Sequence, residues 1–188
     1  MHHNTRETEI KLAVADPGTA RRFLRAAGFR VSRSRVFESN TVFDTPESSL
    51  RQAATLLRLR QAGGVFTITY KGGAVPGKHK SREELETEVS SAAVMAAIFG
   101  RLGLRPAFRY EKYRTEFRQP HRAGVAMLDE TPAGVYLELE RTPAWIDRTA
   151  RRLGFEEKHY ITASYSRLYL EWCAARRCKP SNMVFPVR

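Results

Sequence analysis

Six segments of the chain alternate between polar and apolar residues with a period of two. Side chains two positions apart share one face of a β-strand, so each segment predicts a strand with one polar and one apolar face. In Glu7-Thr8-Glu9-Ile10-Lys11-Leu12 one face carries Glu7, Glu9 and Lys11. Leu56-Leu57-Arg58-Leu59-Arg60 places Arg58 and Arg60 opposite Leu57 and Leu59. Phe66-Thr67-Ile68-Thr69-Tyr70-Lys71 sets Thr67, Thr69 and Lys71 against Phe66, Ile68 and Tyr70. Arg82, Glu84, Glu86 and Glu88 align between 82 and 89, Lys112 and Arg114 between 110 and 117, and Glu138 and Glu140 between 136 and 140.

Between these runs the period shifts to that of a helix. Asp16-Pro17 supplies an N-cap and a first helical residue, Ala20, Phe23, Leu24 and Ala27 form one face, and Gly28 ends the helix. Ser91 opens a second helix that closes at Gly103, and Thr142-Pro143 opens a third that closes at Gly154. A fourth runs from Ser164 to about Arg177, with Tyr165, Leu168, Tyr169 and Trp172 on its apolar face. The Gly-rich stretch over 71–77 reads as a loop between strands.

Any one alternating run describes a half-solvated antiparallel sheet. Together the six carry rows of ionised groups, often of one sign, and like charges on one strand face repel. A closed barrel resolves this if the charged faces point into a wet lumen and the apolar faces point outward beneath the helices. The expected class is therefore α+β, an antiparallel barrel with a charged lumen and helices packed outside. Basic rows in such a lumen can grip a polyanion, and carboxylate rows can hold hard divalent cations through oxygen. That combination suits phosphoanhydride chemistry, in which charge must be neutralised and a metal can activate water. The nucleotide cradle GxxxxGKS/T does not occur in the sequence.

The chain has 188 residues, 42% of them apolar, which suits a single domain over 1–188 with a core at about 5–175 and a basic tail at 176–188. No apolar run approaches the roughly 18 residues of a membrane span. Met1-His2-His3-Asn4 opens no hydrophobic leader, so the expected setting is cytoplasmic, without a membrane partner. Cys173 and Cys178 are too few for a disulfide framework, in keeping with a reducing compartment. His79, His121 and His159 lack metal-ligand spacing.

The net charge of +12 points first to nucleic acid. The clusters Arg21, Arg22 and Arg25, then Arg148, Arg151 and Arg152, then Arg176, Arg177 and Lys179 read instead as solvated helix faces. The aromatic residues follow core periodicity and are not interleaved with exposed bases. Nucleic acid is therefore not the expected partner, and an RNA- or polyphosphate-binding module is the non-enzymatic alternative. The segment 181–188 is left either to pack on the body or to make a dimer contact, so monomer and homodimer both stay open.

Glu7-Thr8-Glu9-Ile10-Lys11 matches the ExExK signature of the CYTH superfamily, the triphosphate tunnel metalloenzymes. The resemblance is carried by an ordered set: Leu-Arg-Leu-Arg at 57–60, Thr-Tyr-Lys at 69–71, Arg-x-Glu-x-Glu at 82–86 and Tyr-Glu-Lys-Tyr-Arg at 110–114. It continues through Leu-Asp at 128–129, Glu-Leu-Glu at 138–140 and Ser-Tyr at 164–165, and it looks closest to bacterial class IV adenylate cyclase-like members. The resemblance implies an eight-stranded antiparallel barrel whose tunnel binds a triphosphate with Mg²⁺ or Mn²⁺. Lys11, Arg58, Arg60, Lys71, Arg82, Lys112 and Arg114 would then bind phosphates. Glu7, Glu9, Glu86, Asp129, Glu138 and Glu140 would hold or face the metal, with Glu7, Glu9, Lys11, Glu138 and Glu140 as the catalytic set.

Arg82 and Glu84 share a face with Glu88, which leaves a register two residues away open. Many relatives carry a base where this chain has Ala163, a role that would pass to Lys158 or Arg167, and Arg141 after Glu140 is also unusual. The expected activity is metal-dependent hydrolysis of a triphosphate: tripolyphosphate, thiamine triphosphate or a nucleoside triphosphate. The alternative on the same site is a class IV adenylate cyclase, in which the ribose 3′-oxygen attacks the α-phosphorus and releases pyrophosphate. With the tunnel residues, Glu84 and Glu88 included, set apart, the lumen is nearly balanced in sign. The net positive charge then belongs to the exterior.

Overall fold

The computed structural model describes residues 5–186, so the expectation of no leader at Met1–Asn4 and the last two residues of the tail lie outside the described residues. The strands are β1 (Thr5–Val14), β2 (Arg30–Asp44), β3 (Leu56–Ala62), β4 (Val65–Lys71), β5 (Lys80–Val89), β6 (Arg105–Arg118), β7 (Val125–Thr131) and β8 (Gly134–Glu140). The helices are α1 (Pro17–Ala26), α2 (Ser49–Gln52), α3 (Ala92–Arg101), α4 (Pro143–Arg152) and α5 (Tyr165–Arg176). The strands close into one antiparallel barrel in the order β1-β5-β4-β3-β2-β6-β7-β8.

Local chemistry sets the helix limits. Asp16 accepts a hydrogen bond from the Thr19 amide at 2.9 Å, and Ser91 and Ser164 accept from the Val94 and Arg167 amides at 3.3 Å each. Thr142 caps α4 without a side-chain bond. Gly28, Gly103 and Gly154 adopt φ values of 81°, 85° and 86°, which reverse the chain after α1, α3 and α4.

The apolar faces of the strands point outward. Ile10, Leu12, Leu128, Leu137 and Leu139 pack beneath Leu24 of α1 and Ile146 of α4, all fully buried. Phe43, Leu59 and Phe99 form a second core under α3, whereas Tyr165, Tyr169 and Cys173 of α5 pack against Tyr110 and Tyr136, which share the inward faces of β6 and β8 with Lys112 and Glu138. The polar faces point inward, so that Lys112, Asn40 and Thr69 rank among the most deeply buried side chains of the molecule. This inside-out arrangement is the one the charged rows predict.

Two strands escape the alternation rule, each for a physical reason. The register of β2 shifts between Val31 and Arg33, between Arg33 and Val36 and between Val42 and Phe43, so no single period of two runs through it. Strand β7 is buried on both faces, with Ala126 and Leu128 beneath the helices and Met127 in the lumen, which leaves a continuous apolar run. The short α2 is likewise unannounced in the sequence.

The pairing of β5 fixes the register that the sequence leaves open. Glu7 faces Arg82, while Lys71 faces Glu84 and Thr69 faces Glu86. The tail packs on the body: Met183 exchanges backbone hydrogen bonds with Arg109 and Glu111 of β6, and Phe185 lies on Tyr113 with ring centroids 5.3 Å apart.

Gly124, in the turn from β6 to β7, has φ 114°, and a Cβ there would sit 2.5 Å from Cε2 of Trp145. Gly124→Ala should therefore cost about 2–3 kcal/mol through overpacking and backbone strain. Urea unfolding should show the lower midpoint with an unchanged slope.

Candidate functional site

The lumen is a cavity of about 1020 Å³. It is lined by Glu7, Glu9 and Lys11 of β1, Arg58 and Arg60 of β3, Lys71 of β4, and Arg82 and Glu86 of β5. Lys112 and Arg114 of β6 and Glu138 and Glu140 of β8 complete the row. Period-two alternation puts these residues on the inner face of their strands, and antiparallel closure brings the rows together. Asp129 is fully buried in the wall behind them.

The rows neutralise one another. Lys11 Nζ lies 3.1 Å from Glu9 and 2.8 Å from Glu138, and Lys71 Nζ lies 2.6 Å from Glu7 and 3.1 Å from Glu84. Arg60 donates to Glu86 at 2.7 Å, with Arg58 3.5 Å from the same oxygen. Arg58 also donates to Tyr110 Oη at 3.2 Å and Thr69 Oγ1 at 3.0 Å. Asp129 is the hub of the opposite wall: Arg114 Nε donates to Oδ1 at 2.7 Å, and Lys112 and the Tyr165 hydroxyl donate to Oδ2 at 2.8 and 2.5 Å. Arg114 bridges from there to Glu138. Tyr165 enters from α5, and its ring faces Lys11 and Lys112 at 5.2 and 5.0 Å.

These contacts decide the protonation states. Burial pulls the Glu138 carboxyl upward, but Lys11, Arg114 and Lys112 outweigh it and hold the group well below the usual carboxylate range. Glu7 is likewise buried, yet Lys71 brings it down to about 2. Glu140 has no ion-pair partner among the described residues, and burial together with Glu7 and Glu138 pushes it up to about 7. Burial, together with the hydrogen bond that a protonated Glu84 donates to Glu7, raises Glu84 to about 7 as well, against the pull of Lys71.

The donor set matches the chemistry of a hard divalent cation. Glu7 and Glu9 of β1 neighbour Glu138 and Glu140 of β8, with Glu9 directly opposite Glu140 in register. The mutual repulsion that raises Glu140 is what a cation there would relieve. Among the described residues, however, no three His, Cys, Asp or Glu groups converge on a single point, because most of these carboxylates are turned onto Lys or Arg. Glu86 sits on the arginine side, and both oxygens of Asp129 already accept from basic or hydroxyl donors.

Several lumen residues carry no signal in the alternating runs. Glu38 and Asn40 lie on the irregular β2, and Lys80 is the first residue of β5. Glu38 lies 3.6 Å from Lys112, too far for a hydrogen bond, and neither amide atom of the fully buried Asn40 has a partner among the described residues. Lys80 lies 3.3 Å from Glu9, and burial lowers it to about 8 against the pull of that carboxylate. Tyr165 is visible in the sequence only as part of Ser-Tyr and of the apolar face of the last helix, with no signal for its bond to Asp129.

Other expectations change. Glu88 is exposed at the rim and lies outside the cavity lining. Neither Lys158 nor Arg167 replaces a base at Ala163, since they pair on the exterior with Glu156 and Glu171. His79 and His159 are satisfied, by Asp147 and by the Glu156 amide.

The CYTH domain matches residues 5–165, and the chain belongs to that family. A protein of Methanocaldococcus jannaschii, by name a candidate adenylate cyclase, is 29% identical over 136 residues, covering 72% of this chain and 77% of its own. The solved structure of a Pyrococcus horikoshii protein superposes with a TM-score of 0.74 at 25% identity, covering 86% of this chain and 98% of the other. A Hippeastrum protein, by title a candidate adenylyl cyclase with a dominant triphosphatase activity, has a TM-score of 0.64 at 18% identity over 88% of this chain and 95% of the other.

Two measurements test this electrostatic account. Asp129→Asn should lower stability by about 3 kcal/mol, because it leaves Lys112 and Arg114 buried with less counter-charge; chemical unfolding reads the loss. The pH test concerns Glu38, which burial would raise but which Lys112 and then Arg114 hold at about 2, below the ordinary 4.5. A depressed carboxylate stabilises the fold fully above 4.5 and ceases to as pH falls towards 2. The stability difference between wild type and Glu38→Gln should therefore shrink across that window and level off below it.

Proposed function

We propose that this protein is a divalent-metal-dependent triphosphatase whose substrate lies in the barrel lumen. The observation that carries the reading is the inward convergence of Lys11, Arg58, Arg60, Lys71, Lys112 and Arg114 from four strands onto one cavity beside the acidic rows of β1 and β8. A chain of phosphates meets Arg58, Arg60 and Lys71 on one wall, and Lys11, Lys112 and Arg114 on the other. Guanidinium forks fix the angle of the phosphates, and the ammonium groups supply compact charge.

Binding is an exchange of partners, since each of these bases already holds a carboxylate. As phosphate oxygens take over Lys11, Lys71 and Arg114, the carboxylates of Glu7, Glu9 and Glu138 are released next to Glu140. Those four residues would hold Mg²⁺ or Mn²⁺, which when bound neutralises phosphate charge and lowers the pKa of a water ligand. The carboxylate row orients the attacking water, the basic rows stabilise charge on the departing phosphate, and the lumen walls restrict bulk solvent. No protein nucleophile is required. Asp129 and Tyr165 act as positioning residues that hold Lys112 and Arg114 in place.

The name of the Methanocaldococcus jannaschii relative favours a second reading, cyclisation of ATP to cyclic AMP and pyrophosphate on the same phosphate-binding rows. The Hippeastrum protein, with its dominant triphosphatase activity, favours hydrolysis. Incubation with tripolyphosphate, thiamine triphosphate and ATP, each with Mg²⁺ or Mn²⁺, separates the two by product. Orthophosphate release is expected; cyclic AMP with pyrophosphate would establish the cyclase, and no turnover of any of the three would sink both. Arg58→Ala should lower kcat/KM for the active substrate by about 100-fold or more, through loss of a charge that acts on the phosphate in the transition state.

A further inference from the structure

A second cavity, of about 610 Å³, lies outside the barrel between the β6–β7 turn and the start of α4. Four arginines line it, Arg122, Arg141, Arg148 and Arg152, and no carboxylate does. All four are exposed, and among the described residues none forms an ion pair. The one side-chain hydrogen bond among them is from Arg152 to the Ala27 carbonyl at 3.4 Å. Some exterior arginines hold a carboxylate, Arg21 and Arg35 on Glu130, Arg33 on Glu116, Arg109 on Glu111 and Arg167 on Glu171, while others, such as Arg25 and Arg101, stand without an ion pair among the described residues but line neither cavity. An ordinary solvated face mixes signs in that way, whereas the cleft concentrates one sign in a concavity. Four like charges there repel, and an anion relieves the repulsion without first displacing a carboxylate, as it must in the lumen.

The cleft also adjoins the tunnel through the covalent chain. Arg118 and Glu140 line the lumen, and the next residues, Gln119 and Arg141, line the cleft. Val125 lines the lumen, and Ala123, two residues earlier, lines the cleft. Arg118 ends β6, Val125 begins β7 and Glu140 ends β8, so the cleft lies at the same end of the barrel wall as these lumen residues. Trp145 lies among the cleft residues but is buried, packed edge-on against Phe29 and pressed by Gly124. It therefore offers no free face on which a base could stack, and the recognition is of phosphate alone.

We propose that this arginine cleft is a second phosphate-binding site, which holds the outer part of a linear phosphate chain whose terminal three units occupy the tunnel. The inference rests on the reading of the lumen as a triphosphate site and extends the substrate class to chains longer than three. Two linked sites raise affinity through effective concentration, so only a ligand long enough to reach both gains from the cleft.

The test compares wild type with the double variant Arg141→Ser/Arg148→Ser, both exposed positions outside the catalytic machinery, with circular dichroism to confirm the fold. Calorimetric titration uses tripolyphosphate and a linear polyphosphate of about fifteen units. The variant should bind the long chain about tenfold or more weakly while holding tripolyphosphate within about twofold. Equal weakening of both ligands would reduce the cleft to a general attractive field, and an unchanged affinity for the long chain would remove the site; either overturns the proposal while the tunnel reading stands. Wild-type protein that binds neither ligand overturns both. A single-stranded RNA of similar charge that binds more tightly than polyphosphate, and is equally weakened in the variant, would reassign the cleft to nucleic acid.

Discussion

Charge compensation inside the barrel is the condition on which this structure depends. Lys11, Lys112, Asp129 and Glu138 are nearly inaccessible to solvent, and an unpaired ion in such a place would cost several kcal/mol. Each is instead shared between two or more partners, so the network distributes charge through bridging groups such as Arg114 and Asp129. Closed walls, buried ionic groups and outward apolar faces are thus one solution to a single problem. A barrel with the same strands and an unbalanced lumen would bury ions without counter-charge on closing.

The same compensation shapes selectivity. A monophosphate can replace only one or two of the carboxylates that the bases now hold, and the displaced acids would then repel one another. On the proposed function a triphosphate would replace several at once, its charge spread along the tunnel as the bases are. On the same reading a cation would complete the exchange, because acids released by the substrate would need a new counter-charge. The exterior excess of positive charge acts at longer range and raises the encounter rate with anions.

Much of this was legible in the alternating runs, because inward rows of charge leave a period of two that other folds do not need. Glu7, Lys11, Arg58, Arg60 and Glu138 stand in regular strands, and their position in the lumen follows directly from that spacing. Glu38 and Asn40 were hidden because bulges break the period of β2, and β7 was hidden because both its faces are buried. The pairing of acids with bases, which leaves no preformed group of metal-binding carboxylates among the described residues, depends on which strands become neighbours. One-dimensional spacing does not contain that information. Arg141 stands out in the sequence as a departure from the family, but only the folded chain brings Arg122 and Arg148 beside it.

The order of strands around the barrel bears on how the protein is made. Strand β1 pairs with β5 on one side and with β8 on the other, so the first strand to leave the ribosome waits for the last before the ring can close. Its apolar face, with Ile10 and Leu12, is covered in part by α4, which emerges later still. During synthesis the chain therefore holds an open sheet with two unpaired edges and a bare greasy face, the state most prone to joining another copy. The N-terminal strand carries its own protection, since Arg6, Glu7, Glu9 and Lys11 set charged side chains along its open edge. The residues that serve the finished tunnel thus also keep the unfinished protein apart from its neighbours.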